Sequence, residues 1–88
     1  MNARNAYKIL SKEYPMHKVR SCLDYGKFYV FGMVPLDVED NQRYFSGTIM
    51  PAVDKKNGTI FEYDITSDMD AYNRAKVVKV KTFFDEMV

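Results

Sequence analysis

Residues 18–34 have the sequence KVRSCLDYGKFYVFGMV, which predicts two antiparallel strands joined by a tight turn. Gly26 can supply the positive φ that such a turn needs. The second strand is apolar on both faces, which is typical of a central strand that is covered on both sides. Its alternating side chains place Phe28, Val30 and Val34 on one face and Tyr29, Phe31 and Met33 on the other.

An amphipathic helix precedes the two strands. Its apolar side chains recur at spacings of three and four, which predicts a helix over residues 2–14. Asn2 is a suitable N-cap, and Pro15 disfavours helical backbone at Tyr14, so the helix should end there. The stripe consists of Ala3, Ala6, Tyr7, Leu10 and Tyr14.

The second half of the chain predicts a hairpin and a second helix. Asn57-Gly58 lies between two apolar runs and predicts a hairpin over 54–58 that joins strands at 45–54 and 59–65. Pro51 cannot donate to a ladder, which suggests an edge strand or a bulge. The polar residues 35–44 predict a loop. Asp68 is an N-cap candidate for a helix over 68–76, whereas residues 77–87 fit either helix or strand.

These elements predict one α+β domain over residues 1–88. The N-terminal helix should pack on a four-stranded antiparallel sheet, with a C-terminal helix following the last strand. Val30, Ile49, Val53, Leu10 and Ala6 should be buried.

Composition excludes several classes of function. The 88 residues contain 13 Lys and Arg against 12 Asp and Glu, so the net charge of +1 argues against a dedicated nucleic-acid-binding protein. The single cysteine, Cys22, and the single histidine, His17, exclude an internal disulfide and the common zinc motifs. We expect no metal and no cofactor. The sequence has no signal-peptide pattern and no apolar stretch of membrane-spanning length, which favours a cytoplasmic location without membrane attachment.

No catalytic motif is present, so we expect a protein that is not an enzyme. The four glycines are scattered and form no phosphate-binding loop, and the only histidine offers Cys22 no favourable partner. Structural roles for Cys22 and His17 are the simpler interpretation.

Acidic and aromatic residues supply two candidate binding surfaces. No Lys or Arg occurs between Asn57 and Asn73, although helix capping and solvation explain part of this acidic segment. Tyrosine is common at interfaces and can also stack on a flat ligand. The candidates for protein binding are Asp37, Glu39, Asp40, Tyr44, Glu62, Asp64, Asp68 and Asp70. The candidates for ligand binding, as the alternative, are Tyr25, Tyr29, Arg43 and Tyr63.

Three segments together resemble the PepSY family: AYKILSKEYP, VRSCLDYGKFYVF and VDKKNGTIFEY. The last contains a D-x-K-x-G-x-I hairpin at Asp54, Lys56, Gly58 and Ile60. The resemblance covers about residues 3–65 and implies a helix, a strand pair and an association with protease inhibition. The start MNARNAYKIL and the YVF strand are also similar to short proteins encoded by phages and prophages of Gram-positive bacteria, which implies the host bacterial cytoplasm as the location.

These features favour a phage-type protein-binding module that inhibits or neutralises a bacterial host or defence protein. The alternatives are a protein that sequesters a small nucleotide-like signal and a minor phage structural protein. An inhibitor should present a flat or convex patch, whereas a ligand-binding protein should have a cleft that joins tyrosine to Arg or Lys.

A homodimer is the oligomeric state that the sequence favours slightly. One helix covers only one face of the second strand, so either residues 77–87 or a second copy must cover the other. Light scattering at micromolar concentration should therefore give twice the monomer mass of 10.3 kDa. A monomer with residues 77–87 docked on the sheet would remove the dimer but keep the packing argument.

Overall fold

The computed structural model describes residues 1–37 and 49–79. Within them, one helix precedes an antiparallel sheet with the strand order β4-β3-β2-β1-β5, and a short helix lies before the last strand. The elements are α1 (Ala3–Glu13), β1 (His17–Asp24), β2 (Phe28–Pro35), β3 (Pro51–Asp54), β4 (Ile60–Glu62), a 3-10 helix (Ile65–Ser67), α2 (Met69–Arg74) and β5 (Lys76–Val77). The α+β class is confirmed, but the sheet has five strands rather than the four predicted.

The ends of α1 follow from local hydrogen bonds. The Asn2 side chain accepts a hydrogen bond from the backbone N–H of Asn5 at 2.9 Å, which satisfies one of the free donors of the first turn. At the other end, the N–H of Tyr14 donates to the carbonyl of Leu10, and Pro15 prevents a further turn. The predicted helix is therefore confirmed at both ends.

A tight turn and a bulge shape the β1–β2 pair. Gly26 has φ 93°, a conformation that L side chains rarely adopt, and the N–H of Tyr25 donates to the carbonyl of Phe28. The pairing shifts register between Val19 and Ser21. A Cβ on Gly32 would collide with Oγ of Ser21, so a larger residue at this position would force the Ser21 side chain to move.

Both faces of β2 are buried within one chain. On the face toward α1, Phe31 and Met33 are fully buried beside Leu10. On the opposite face, Val30 and Val34 are each 1% exposed. Burial of β2 therefore does not require a second copy, and self-association stays a prediction. The α1 face contains Ala3, Ala6, Leu10, Val19, Cys22, Tyr29, Phe31, Met33 and Val53.

The 54–58 hairpin is confirmed, with two differences nearby. The N–H of Gly58 donates to the carbonyl of Asp54 at 2.9 Å, which closes the turn. Pro51 lies on β3, an inner strand rather than an edge, at a gap where the ladder to β2 is interrupted. Ile49 is half-buried against the core rather than buried.

The segment after α2 forms a fifth strand. Ala75 is extended, with ψ 143°, so the helix ends at Arg74 and Lys76–Val77 pairs with β1. The N–H of Val78 donates to the carbonyl of Cys22, and its side chain packs on the α1 face. The predicted strand over 59–65 is shorter, because a 3-10 helix begins at Ile65.

Two stretches lie outside the described residues, namely 38–48 and 80–88. They include most of the loop over 35–44, the first part of the strand over 45–54 and most of the tail over 77–87. In the part of the chain that the structure describes, no helix is long and apolar enough to cross a membrane.

Replacement of Leu10 by Ala should destabilise the protein by about 2–4 kcal/mol, because the side chain is fully buried between α1 and the sheet. Urea unfolding followed by circular dichroism measures this change in the free energy of unfolding. The control is Lys12→Ala, an exposed position on the same helix, which should change it by less than about 0.5 kcal/mol. Equal effects of the two substitutions would contradict the packing described here.

Candidate functional site

A cleft of about 300 Å³ lies beside the β1–β2 turn. Four separate segments form it: the end of β1, the 54–58 hairpin, α2 and the start of β5. Ala71 and Ala75 contribute small side chains that leave the cleft open. Its charged lining residues are Asp24, Lys55, Arg74 and Lys76, three cations against one carboxylate.

Lys55 is paired within the cleft. Its Nζ atom lies 2.7 Å from Oδ1 of Asp24, and the two side chains are only 24% and 26% exposed. Burial alone would raise the pKa of Asp24, but hydrogen bonds from Lys55 and from the Gly26 N–H lower it below its ordinary value. The same hydrogen bond raises the pKa of Lys55. Both groups are therefore ionised at neutral pH.

An aromatic cluster forms one wall of the cleft through Tyr25. The Tyr25 ring stacks on Phe28 with centroids 5.1 Å apart and meets Tyr63 edge-on at the same distance. Phe61 contacts Phe28 at 5.4 Å. The Tyr25 hydroxyl is buried and makes no hydrogen bond among the described residues, and burial raises its pKa. Packing therefore fixes the position of the Tyr25 ring.

The predicted ligand-binding tyrosines are not all brought together. Tyr25 and Tyr63 are in contact, whereas Tyr29 lies on the opposite face of β2 and is 7% exposed. Nζ of Lys55 lies 4.5 Å from the centroid of the Tyr29 ring, a cation–π contact that supports the lysine from beneath. Arg43 lies outside the described residues.

The acidic candidates near α2 are exposed, and two of them cap helices. Asp64 accepts hydrogen bonds from the backbone N–H and the hydroxyl of Thr66, which lowers the pKa of its carboxyl group. Asp68 accepts from the N–H of Ala71 and so begins α2. Capping therefore holds both carboxylates in position. The acidic surface defined here comprises Glu62, Asp64, Asp68 and Asp70, all of them exposed.

The other acidic candidates are not part of that surface. Asp37 is exposed and follows β2, at the end of that strand far from the Tyr25 turn. Asp68, by contrast, lies near Tyr25. Glu39, Asp40 and Tyr44 lie outside the described residues.

Cys22 is buried and His17 packs on a neighbouring ring, which agrees with the structural interpretation of both residues. Burial raises the pKa of the Cys22 thiol to about 12, so the thiolate is absent at neutral pH. The His17 ring packs edge-on against the Tyr14 ring, with centroids 6.2 Å apart. Among residues 1–37 and 49–79, no three His, Cys, Asp or Glu side chains are grouped to hold a metal ion.

Sequence reasoning missed most of the cleft. Arg74 and Lys76 stand out in the sequence only as part of a basic run after the acidic segment, and Lys55 only as part of a turn. Neither pattern indicates that these three cations lie near Asp24. The reason is distance in the sequence, since Asp24 and Lys76 are 52 positions apart. The local basic run was the one available signal.

Comparison with protein-family models, curated proteins and solved structures found no match. The resemblances to the PepSY family and to small phage-encoded proteins therefore stay hypotheses drawn from the sequence.

The Asp24–Lys55 pair should make stability depend on acidic pH. The pKa of Asp24 in the folded protein lies below its unfolded value of 3.8. The contribution of the ion pair to the free energy of unfolding is therefore complete above pH 3.8 and is lost as the pH falls through the folded pKa. Partial exposure limits it to about 0.5–1 kcal/mol. Urea unfolding at pH 7 and pH 3 should show a smaller loss for Asp24→Asn than for the parent. An identical loss in both proteins would contradict the assignment.

Proposed function

We propose that this chain is a non-catalytic protein-binding module that docks a basic partner and inhibits or neutralises it. The observation that carries the proposal is the combination of the acidic surface with two exposed apolar side chains on α2. Met69 is 50% exposed and Tyr72 is 37% exposed. They are three residues apart, so they lie on one side of the helix.

This combination suits protein docking. Methionine and tyrosine are enriched at protein interfaces, where they supply apolar contact area, and a surrounding set of like charges selects a partner of opposite charge. Asp68 lies directly before Met69, and Asp70 directly after it. A partner with a small apolar depression bordered by Lys or Arg would match both features.

The class of partner rests on the sequence resemblance. The similarity to small phage-encoded proteins favours a bacterial host or defence protein as the partner, in the cytoplasm of the host. No feature of the described residues favours a phage structural role. The cleft, by contrast, is the feature that the ligand-binding alternative requires, and Ala71, Arg74 and Ala75 are the residues at α2 that line it.

Substitution on α2 should weaken capture of a specific partner while the fold remains intact. Immobilised parent protein, Tyr72→Ala and Asp70→Lys should be compared in pull-downs from a bacterial lysate with quantitative mass spectrometry. Each variant should retain a true partner roughly tenfold less well, as for an interface anchor or a reversed interface charge. Their melting temperatures should stay close to that of the parent, because both side chains are substantially exposed.

Asn73→Ala is the matched control, since Asn73 is an exposed polar residue of the same helix. A protein captured by the parent and by this control, but lost with both surface variants, supports the proposal. Capture that is equal for all four baits would overturn it.

A further inference from the structure

The cleft beside the β1–β2 turn concentrates positive charge in a chain that is almost neutral. Lys55, Arg74 and Lys76 line it, whereas Asp24 is its one lining carboxylate. The net charge of the whole chain is only +1, so this concentration comes from the fold rather than from composition.

Two of the three cations form no ion pair among the described residues, although the charge of Lys76 helps to lower the pKa of the nearby Asp24 carboxyl group. Lys55 is held by Asp24 at 2.7 Å. Arg74 and Lys76 are exposed, and neither forms an ion pair within residues 1–37 and 49–79. Both extend from the end of α2 and the start of β5, which the pairing of Lys76 with Asp24 anchors to the sheet. The cations are therefore attached to ordered backbone while their charges remain available.

The size and chemistry of the cleft define the class of ligand. A volume of about 300 Å³ is at the lower end of the range for small-molecule sites. The planar Arg74 guanidinium and the Lys76 ammonium are the groups that proteins use to bind phosphate oxygens. The Tyr25 ring adds a flat apolar wall that packing already holds in place.

We propose that the cleft formed by Tyr25, Lys55, Arg74 and Lys76 binds a small phosphate-bearing molecule, with Arg74 and Lys76 contacting the phosphate. Asp24 neutralises Lys55 and so limits the attraction for the anion. The proposal does not depend on the protein-docking function, because the acidic surface and the cleft use different side chains of α2.

NMR titration of the ¹⁵N-labelled chain tests the site directly. The probes are ribose 5-phosphate, adenosine monophosphate and adenosine. Both phosphates should shift the amide signals of residues 24–26 and 71–76 with saturation, and adenosine should bind more weakly than adenosine monophosphate. Equal affinities for the two phosphates would show recognition of the phosphate alone, whereas tighter binding of the nucleotide would add contact between its base and Tyr25. No saturable shift with either phosphate up to about 10 mM would overturn the proposal.

Two charge variants separate the site from a general effect of net charge. Arg74→Ala should weaken binding of adenosine monophosphate about tenfold, as expected for loss of a charge-assisted contact. Lys8→Ala removes the same charge from an exposed position on α1 that does not line the cleft, so it should leave the affinity unchanged. Equal weakening by both substitutions would overturn the assignment.

A third variant predicts a gain in affinity. Asp24→Asn retains the side-chain oxygen that accepts the Gly26 N–H, but it removes the charge that neutralises Lys55. Binding of adenosine monophosphate should tighten several-fold, because a third cation becomes available to the anion. Weaker binding by a folded Asp24→Asn protein would contradict the role given to Lys55. Circular dichroism spectra and melting curves confirm that each variant is folded.

Discussion

Burial of β2 on both faces is the constraint from which the rest of the fold follows. Six consecutive residues, Tyr29–Val34, are buried, so the strand needs a paired neighbour at each edge and cover on each face. The long pairing with β1 and the shorter pairing with β3 satisfy its edges. The apolar stripe of α1 covers the face that contains Phe31. Register is fixed as well, because a shift by one residue would exchange the two buried sets.

Asp24 connects this core to the cleft. It pairs with Tyr29 across β1–β2 and with Lys76 across β1–β5, and its carboxylate binds both Lys55 and the turn at Gly26. The side chain of one residue thus contacts a turn and a hairpin, while its backbone pairs with the last described strand. Its ionised state is maintained because the donors that surround it outweigh the cost of partial burial. The Asp24–Lys55 contact therefore lies where the cleft meets the end of the central strand pair.

Elements with strong local signals could be predicted, and elements defined by distant pairing could not. The periodicity around Leu10, the turn at Gly26 and the Asn57-Gly58 hairpin each depend on residues close in sequence, and all three are confirmed. The fifth strand is two residues long and exists only because β1 offers it an edge. The missing N–H of Pro51 predicts an edge strand or a bulge, and the structure places Pro51 on an inner strand at a gap in the ladder. The cleft could not be predicted for the same reason as β5. It forms where four segments that are distant in sequence come together.

The two proposed surfaces lie close enough on α2 to influence each other, although weakly. Six helical residues span about 9 Å, and charges in physiological salt are screened over about 8 Å. Asp70 precedes Arg74 by four residues and so lies one turn away, on the same side of the helix, within one screening length. A phosphate bound near Arg74 would cancel positive charge there and make this side of the molecule more uniformly negative. Because a basic partner responds to the summed potential, an occupied cleft should favour its docking by a fraction of a kcal/mol, as for other exposed charge pairs.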